Sequence, residues 1–132
     1  MSASLKIFEN HSLKALNTLG LEARARYFVE VDSVEVLWEA LAFSRARHLP
    51  LVPLGGGSNV VLCGTLKAVV ARIHLQGRTL LPEAGEEGSI RVRAEAGENW
   101  HDFVLWTLAQ GAYGLENLSL IPGLAGAAPI QN

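Results

Sequence analysis

Residues 55–59 read Gly-Gly-Gly-Ser-Asn and lie between two apolar runs, "LPLVPL" and "VVL". That composition suits anion binding. Gly55, Gly56 and Gly57 can adopt positive φ without cost and let a phosphate come close to the backbone. Their N–H groups can converge as a nest, and Ser58 and Asn59 add hydroxyl and amide donors. A two-residue hairpin turn needs less glycine than this. A P-loop would continue into Gly-Lys-Ser/Thr at the start of a helix, and no lysine follows. A dinucleotide fingerprint also requires a helix next, whereas "VVL" reads as strand and position 60 is Val. What remains is a strand–loop–strand nest, with a mobile surface hairpin as the alternative from the loop alone.

A second stretch, "ENLSLIPGLAGAAPIQN", is rich in small residues. Gly123, Ala125, Gly126, Ala127 and Ala128 could let a flat apolar ligand pack on backbone, and Gln131 and Asn132 offer polar edges. A tight-turning core connection is the other reading.

The remaining chemistry-bearing residues fall into no catalytic pattern. His11, His48, His74 and His101 stand at no metal-ligand spacing, and with Cys63 as the one cysteine a zinc site is not expected. His101 reads as a solvated or capping residue, and Glu95 and Glu98 as carboxylates of a solvated loop. Ser58 lacks a Gly-x-Ser-x-Gly elbow and a histidine partner, so it is not a nucleophile. Trp38, Trp100 and Trp106 read as core residues, although Trp100 opens a candidate groove.

The elements that must position these loops are legible in outline. A turn at Gly20 leads to a strand from Tyr27 to Val31, and Asp32 is placed to cap a helix with Glu35 as its capping-box partner. Val34, Leu37, Trp38, Leu41 and Ala42 recur at helical spacing as its inner face. Pro50 ends the helix, Arg45, Arg47 and His48 form its solvated basic end, and a strand from Leu51 to Leu54 enters the glycine loop. This β-α-β unit predicts parallel strands joined by a right-handed crossover. Further strands are expected at Val60–Leu62, Ala68–Arg72 and Ile90–Ala94, with a polar turn from Pro82 to Ser89. In "AGENW", Asn99 caps a second helix, with Asp102 at its third position. Trp100, Phe103, Val104, Thr107 and Leu108 form its inner face and Gly111 its C-terminal cap.

The totals narrow the class. At 132 residues, 49% hydrophobic and 18% charged, the chain can bury a core about one domain in size. A net charge of −2 gives no reason to expect nucleic acid or an anionic membrane surface. The single cysteine and the lack of an apolar leader-like segment make a soluble cytoplasmic protein the expectation. The last residues, from Leu120 to Asn132, are small and apolar where a domain usually ends in a polar tail, so a truncated chain is expected.

"NTLG", "LGGGSNVVL", "AGENWHDFVLWTL" and "GLENLSLIPGLAGAAPIQN", in this order and spacing, resemble the N-terminal part of the UDP-N-acetylenolpyruvoylglucosamine reductase (MurB, UDP-N-acetylmuramate dehydrogenase) family. The resemblance runs from about Asn10 onward; "NTLG" departs mildly from the family's usual Asn-Thr-Phe-Gly.

The resemblance implies an α+β protein with the FAD-binding fold of the vanillyl-alcohol oxidase/MurB type. Its two small lobes would cover residues 1–67 and 68–132, the second of them partial, with the substrate-binding domain absent. It also implies that Gly55, Gly56, Gly57, Ser58 and Asn59 cradle the FAD pyrophosphate. Ile121, Pro122, Gly123, Gly126, Ala127, Ala128, Gln131 and Asn132 would line the flavin, with the 96–100 turn near the same groove. The family reaction is the NADPH-dependent reduction of UDP-N-acetylglucosamine enolpyruvate to UDP-N-acetylmuramate in peptidoglycan precursor synthesis. The family's catalytic serine, glutamate and arginine lie beyond the last motif, so no catalytic residue is placed here. The chain alone is expected to be inactive as a reductase, to meet the UDP-sugar only with the missing domain, and to self-associate through exposed apolar surface. A stand-alone nucleotide- or phosphate-binding module and another FAD oxidoreductase of the same fold are the alternatives.

Overall fold

Alternating small, apolar and arginine residues along Ala23–Val31 make a nine-residue strand, β2, the backbone of the first half of the chain. It pairs antiparallel with β1 (Phe8–Ser12) on one side and parallel with the ten-residue β4 (Gly64–Ile73) on the other. The short edge strand β3 (Leu51–Leu54) runs parallel to β4, so the sheet order is β1-β2-β4-β3. The expected β-α-β unit is present, but β4 is inserted between its two strands. The computed structural model describes residues 5–81 and 88–131. Of the polar turn expected from Pro82 to Ser89, residues 82–87 lie outside that set.

Helix α1 (Val34–Ala46) covers one sheet face. Its N-cap is Ser33, whose hydroxyl accepts from the Val36 N–H at 3.3 Å, and not the expected Asp32. The shift follows from β2, whose pairing holds the chain extended to Val31, where the carbonyl accepts the His74 N–H at 2.7 Å. The buried face also differs from the expected one. Val36, Ala40 and Ser44 face the sheet at i, i+4, i+8, and Trp38 is 63% exposed. Small Ala40 and Ser44 let the helix approach the sheet, and the apolar contact is completed by Leu37 and Phe43 against Tyr27, Val29, Val31 and Val69. The helix ends in a Schellman motif, with His48 in the left-handed region (φ 51°) and Leu49 N–H on the Ser44 carbonyl at 3.0 Å. Arg45, Arg47 and His48 are exposed as expected, and the Arg47 guanidinium also lies 5.3 Å from the Tyr27 ring centroid and donates to the Tyr27 hydroxyl at 2.8 Å.

The opposite sheet face carries a second apolar cluster of Leu13, Ala23, Ala25, Phe28, Leu54 and Val70. Leu16, Val52 and Val60 pack at its edge.

The chain divides into two compact units, Met1–Leu75 and Gln76–Asn132. The division lies beyond the Lys67/Ala68 boundary expected from sequence, because β4 runs unbroken through both of those residues. The second unit holds the antiparallel pair β5 (Arg78–Leu81) and β6 (Arg91–Ala94), then α2 (Trp100–Ala109) and a short α3 (Ala128–Gln131). β5 was not expected from sequence. α2 follows the sequence reading: Asn99 caps it by accepting the Asp102 N–H at 3.0 Å, and Phe103, Val104 and Thr107 are buried. Gly111 (φ 74°) closes it. Among the described residues no helix is long and apolar enough to cross a membrane.

Candidate functional site

The glycine loop leaves the carboxyl end of β3, where Leu54 is fixed in the second apolar cluster. Ligands of open sheets with parallel strands are commonly held at such ends. Gly57 is buried, with φ 69°. A Cβ there would lie 2.0 Å from the Leu16 carbonyl oxygen and 2.8 Å from Asn17 Cα. The Gly57 carbonyl accepts the Thr18 N–H at 3.0 Å and the Thr18 hydroxyl at 3.3 Å. The third glycine is therefore required by the protein's own backbone.

Gly56, Ser58 and Asn59 are exposed, and Gly55 is half-buried. Among the described residues, the N–H groups of Gly56 and Asn59 donate to no backbone carbonyl. Exposed N–H groups, a hydroxyl and an amide together suit a phosphate. The following "VVL" is irregular and not the expected strand, with Val61 72% exposed; strand pairing resumes at Gly64.

A residue that sequence reasoning gave no role holds this loop's support. Asn17 is buried, and its Nδ2 donates to the Leu13 carbonyl at 2.9 Å and the Leu21 carbonyl at 3.1 Å. Its Oδ1 accepts the Leu21 N–H at 2.9 Å. The Asn of "NTLG", followed by a Gly20 at φ 62°, was the available signal.

In the second unit, residues 123–126 lie against the 96–100 turn. Trp100 N–H donates to the Gly123 carbonyl at 3.0 Å, Ala125 N–H to Glu98 at 2.8 Å and Gly126 N–H to Ala96 at 3.0 Å. A Cβ on Gly126 would lie 2.7 Å from that of Ala96, so a close backbone approach demands glycine there. Trp100 Nε1 donates to the Leu118 carbonyl at 2.7 Å, and His101 Nδ1 accepts the Leu120 N–H at 3.2 Å. His101 thus holds the entry to the segment, where Leu120 has φ 61°. Ile121, Gly123 and Ala127 are half-buried, Pro122 and Gly126 exposed, and Ala128 buried. Gln131 ends α3, which replaces part of the expected loop, and Asn132 lies outside the described residues. Residues 55–59 and 121–131 thus belong to different units, each internally ordered around its own turn.

Glu98 overturns its sequence reading. It is 5% exposed, its Oε1 accepts the Gly77 N–H at 2.7 Å, and its Oε2 accepts Arg78 Nε at 2.6 Å. The pattern of two glutamates about a glycine gave no sign of burial, because the partner arises from the unforeseen β5. Among the described residues, no group of three His, Cys, Asp or Glu side chains could hold a metal.

Residues 25–132 match the family model described as FAD binding domain. The chain is 48% identical to the UDP-N-acetylenolpyruvoylglucosamine reductase of Pseudomonas fluorescens strain Pf-5, over 98% of this chain and 38% of that protein. It is 51% identical to the Pseudomonas putida KT2440 protein of the same name, over 94% of this chain and 36% of that one. It thus spans 36–38% of these relatives' length. The crystal structure of UDP-N-acetylenolpyruvylglucosamine reductase (MurB) from Thermus caldophilus superposes with a TM-score of 0.60 at 22% identity. That superposition covers 95% of this chain and 41% of the other, and supports the α+β fold. With the family model matching most of its length, the chain belongs to the FAD-binding-domain family.

Proposed function

We propose that this chain is the FAD-binding part of an NADPH-dependent reductase that converts UDP-N-acetylglucosamine enolpyruvate to UDP-N-acetylmuramate in peptidoglycan precursor synthesis. The observation that carries the cofactor half is the exposed loop at the end of β3, where the Gly56 and Asn59 N–H groups donate to no backbone carbonyl among the described residues. There the loop's N–H groups, with the Ser58 and Asn59 side chains, hold the pyrophosphate. Gly55 and Gly57 shape the turn. Ile121, Pro122, Gly123, Gly126, Ala127, Ala128, Gln131 and Asn132 line the flavin, with backbone and the Gln131 and Asn132 amides near the ring system. Bound FAD supplies the hydride chemistry, and the chain supplies binding and orientation.

The reductase half is supported by the identity to proteins of that name. NADPH and the UDP-sugar are substrates of the whole enzyme, and no catalytic residue is assigned within these residues. A cytoplasmic location belongs to this reading, and neither nucleic acid nor membrane is a partner in it. Self-association through exposed apolar side chains such as Leu120 and Ile130 belongs to it as well.

Two measurements test it. After incubation with FAD and gel filtration, the protein is expected to carry visible flavin absorbance; a protein that stays colourless yet retains ADP from a parallel incubation with ADP would replace the reading with a nucleotide-binding module. Joined to the remaining part of the Pseudomonas fluorescens reductase, the chain is expected to support NADPH oxidation that depends on the enolpyruvyl UDP-sugar. NADPH oxidation indifferent to that sugar would contradict the reductase assignment.

A further inference from the structure

Glu98 is a buried carboxylate, 5% exposed, with both oxygens bound. Burying a charge is costly before its partner is counted, and a well-packed apolar residue is often as stable as a buried pair. What the carboxylate provides is direction. Its two oxygens are bound by Gly77 N–H at 2.7 Å and Arg78 Nε at 2.6 Å. Arg78 also reaches the Asp102 carbonyl in the first turn of α2 at 3.2 Å. Next to Glu98, the Gly97 carbonyl accepts Gln76 Nε2 at 2.6 Å, and Gly77 in turn accepts the Glu95 N–H at 2.8 Å. The 95–98 turn is therefore held by three consecutive residues, 76–78. The Glu98 carbonyl is then the acceptor for Ala125 N–H at 2.8 Å, in the middle of the segment that would line the flavin.

We propose that Glu98 is a positioning residue for the flavin-lining segment: its carboxylate, fixed by Gly77 and Arg78, orients the main chain that holds Ala125 and Gly126. The proposal rests on the FAD reading above. Removal of the charge is expected to loosen residues 124–126 while leaving α2 capped by Asn99.

Glu98→Gln keeps the side chain's size but turns an amide toward Arg78. In the protein without FAD, amide exchange at Ala125 and Gly126 is expected to quicken by about tenfold or more, the effect of losing one charge-assisted hydrogen bond. The Phe103 amide should stay protected. In a titration, the Kd for FAD is expected to rise by about tenfold and the visible circular dichroism of bound flavin to change. Glu22→Gln, at the exposed Lys14 pair, should alter neither. Wild-type exchange rates at Ala125 and Gly126 in E98Q would overturn the proposal. So would faster exchange with an unchanged Kd and flavin signature, which would reduce Glu98 to a purely structural pair. If E98Q does not fold, R78K, which keeps the charge but loses the fork, is read at the same amides with the same two outcomes. Failure of the wild-type protein to bind FAD would sink the cofactor reading, and the exchange comparison would still decide whether Glu98 positions the segment.

Discussion

Gly57 and Leu16 are packed backbone to backbone: a Cβ on the glycine would stand 2.0 Å from the Leu16 carbonyl oxygen. This separates the glycines of one loop by role. Gly57→Ala must move the loop off residues 16–18 and adopt a left-handed backbone, so a loss of roughly 2 kcal/mol or more is expected in chemical denaturation. Gly56→Ala, at an exposed position, is expected to change stability by less than about 0.5 kcal/mol. Equal losses for the two would mean that the loop is not seated on Leu16.

Asn17 holds the other side of that contact. Asn17→Ala strips the Leu21 N–H and carbonyl of their side-chain partner and leaves the buried Leu13 carbonyl with the Leu16 N–H alone. A loss of about 2–3 kcal/mol is expected, the cost of stranding buried polar groups. Asn17→Asp should restore only the Leu21 N–H bond and recover only part of the loss.

His48 sits at the position where a helix terminus favours glycine, with φ 51°. His48→Gly is expected to raise stability by about 0.5–1 kcal/mol, the relief of the left-handed backbone less the entropy that glycine adds to the unfolded chain. A destabilised variant would show that the imidazole makes a contact worth more than that strain.

Glu116 gives a pH dependence. Its own N–H and that of Gly114, which donates to Oε2 at 2.6 Å, hold its carboxyl below the usual carboxylate range. A lowered folded-state pKa means that the contribution is present above the unfolded value and lost as pH falls through the folded one. Amide exchange at Gly114 should therefore be slow at neutral pH and quicken below the ordinary carboxylate range, after correction for intrinsic rates. Glu116→Gln should remove that dependence.

Elements carried by local signals were readable from sequence, and those set by tertiary contact were not. Asn99 and Gly111 bracket α2 because capping chemistry is local. The face of α1 escaped the periodicity argument, since Ala40 and Ser44 are buried for their smallness while Trp38 is exposed. Val60–Leu62 has strand composition but forms no strand, and β3 pairs with the later β4 instead. Of the candidate site, the glycine loop and the 121–132 segment were located by residue type and motif. The reason for Gly57 was hidden, because its neighbour Leu16 is distant in sequence. Glu98 was misread for the same reason: burial and charge pairing across 20 residues leave no local pattern.

The central claim is that the open glycine loop binds the phosphates of FAD. The most direct test is quenching of flavin fluorescence on titration of the protein, with Gly56→Asp beside the wild type. Gly56 is chosen because its exposure lets a carboxylate be added without unfolding the loop, as Gly57 would not allow. Saturable binding by the wild type, weakened at least about tenfold by the added negative charge, is the predicted result. Binding of equal strength by both proteins, with the variant folded, would contradict it.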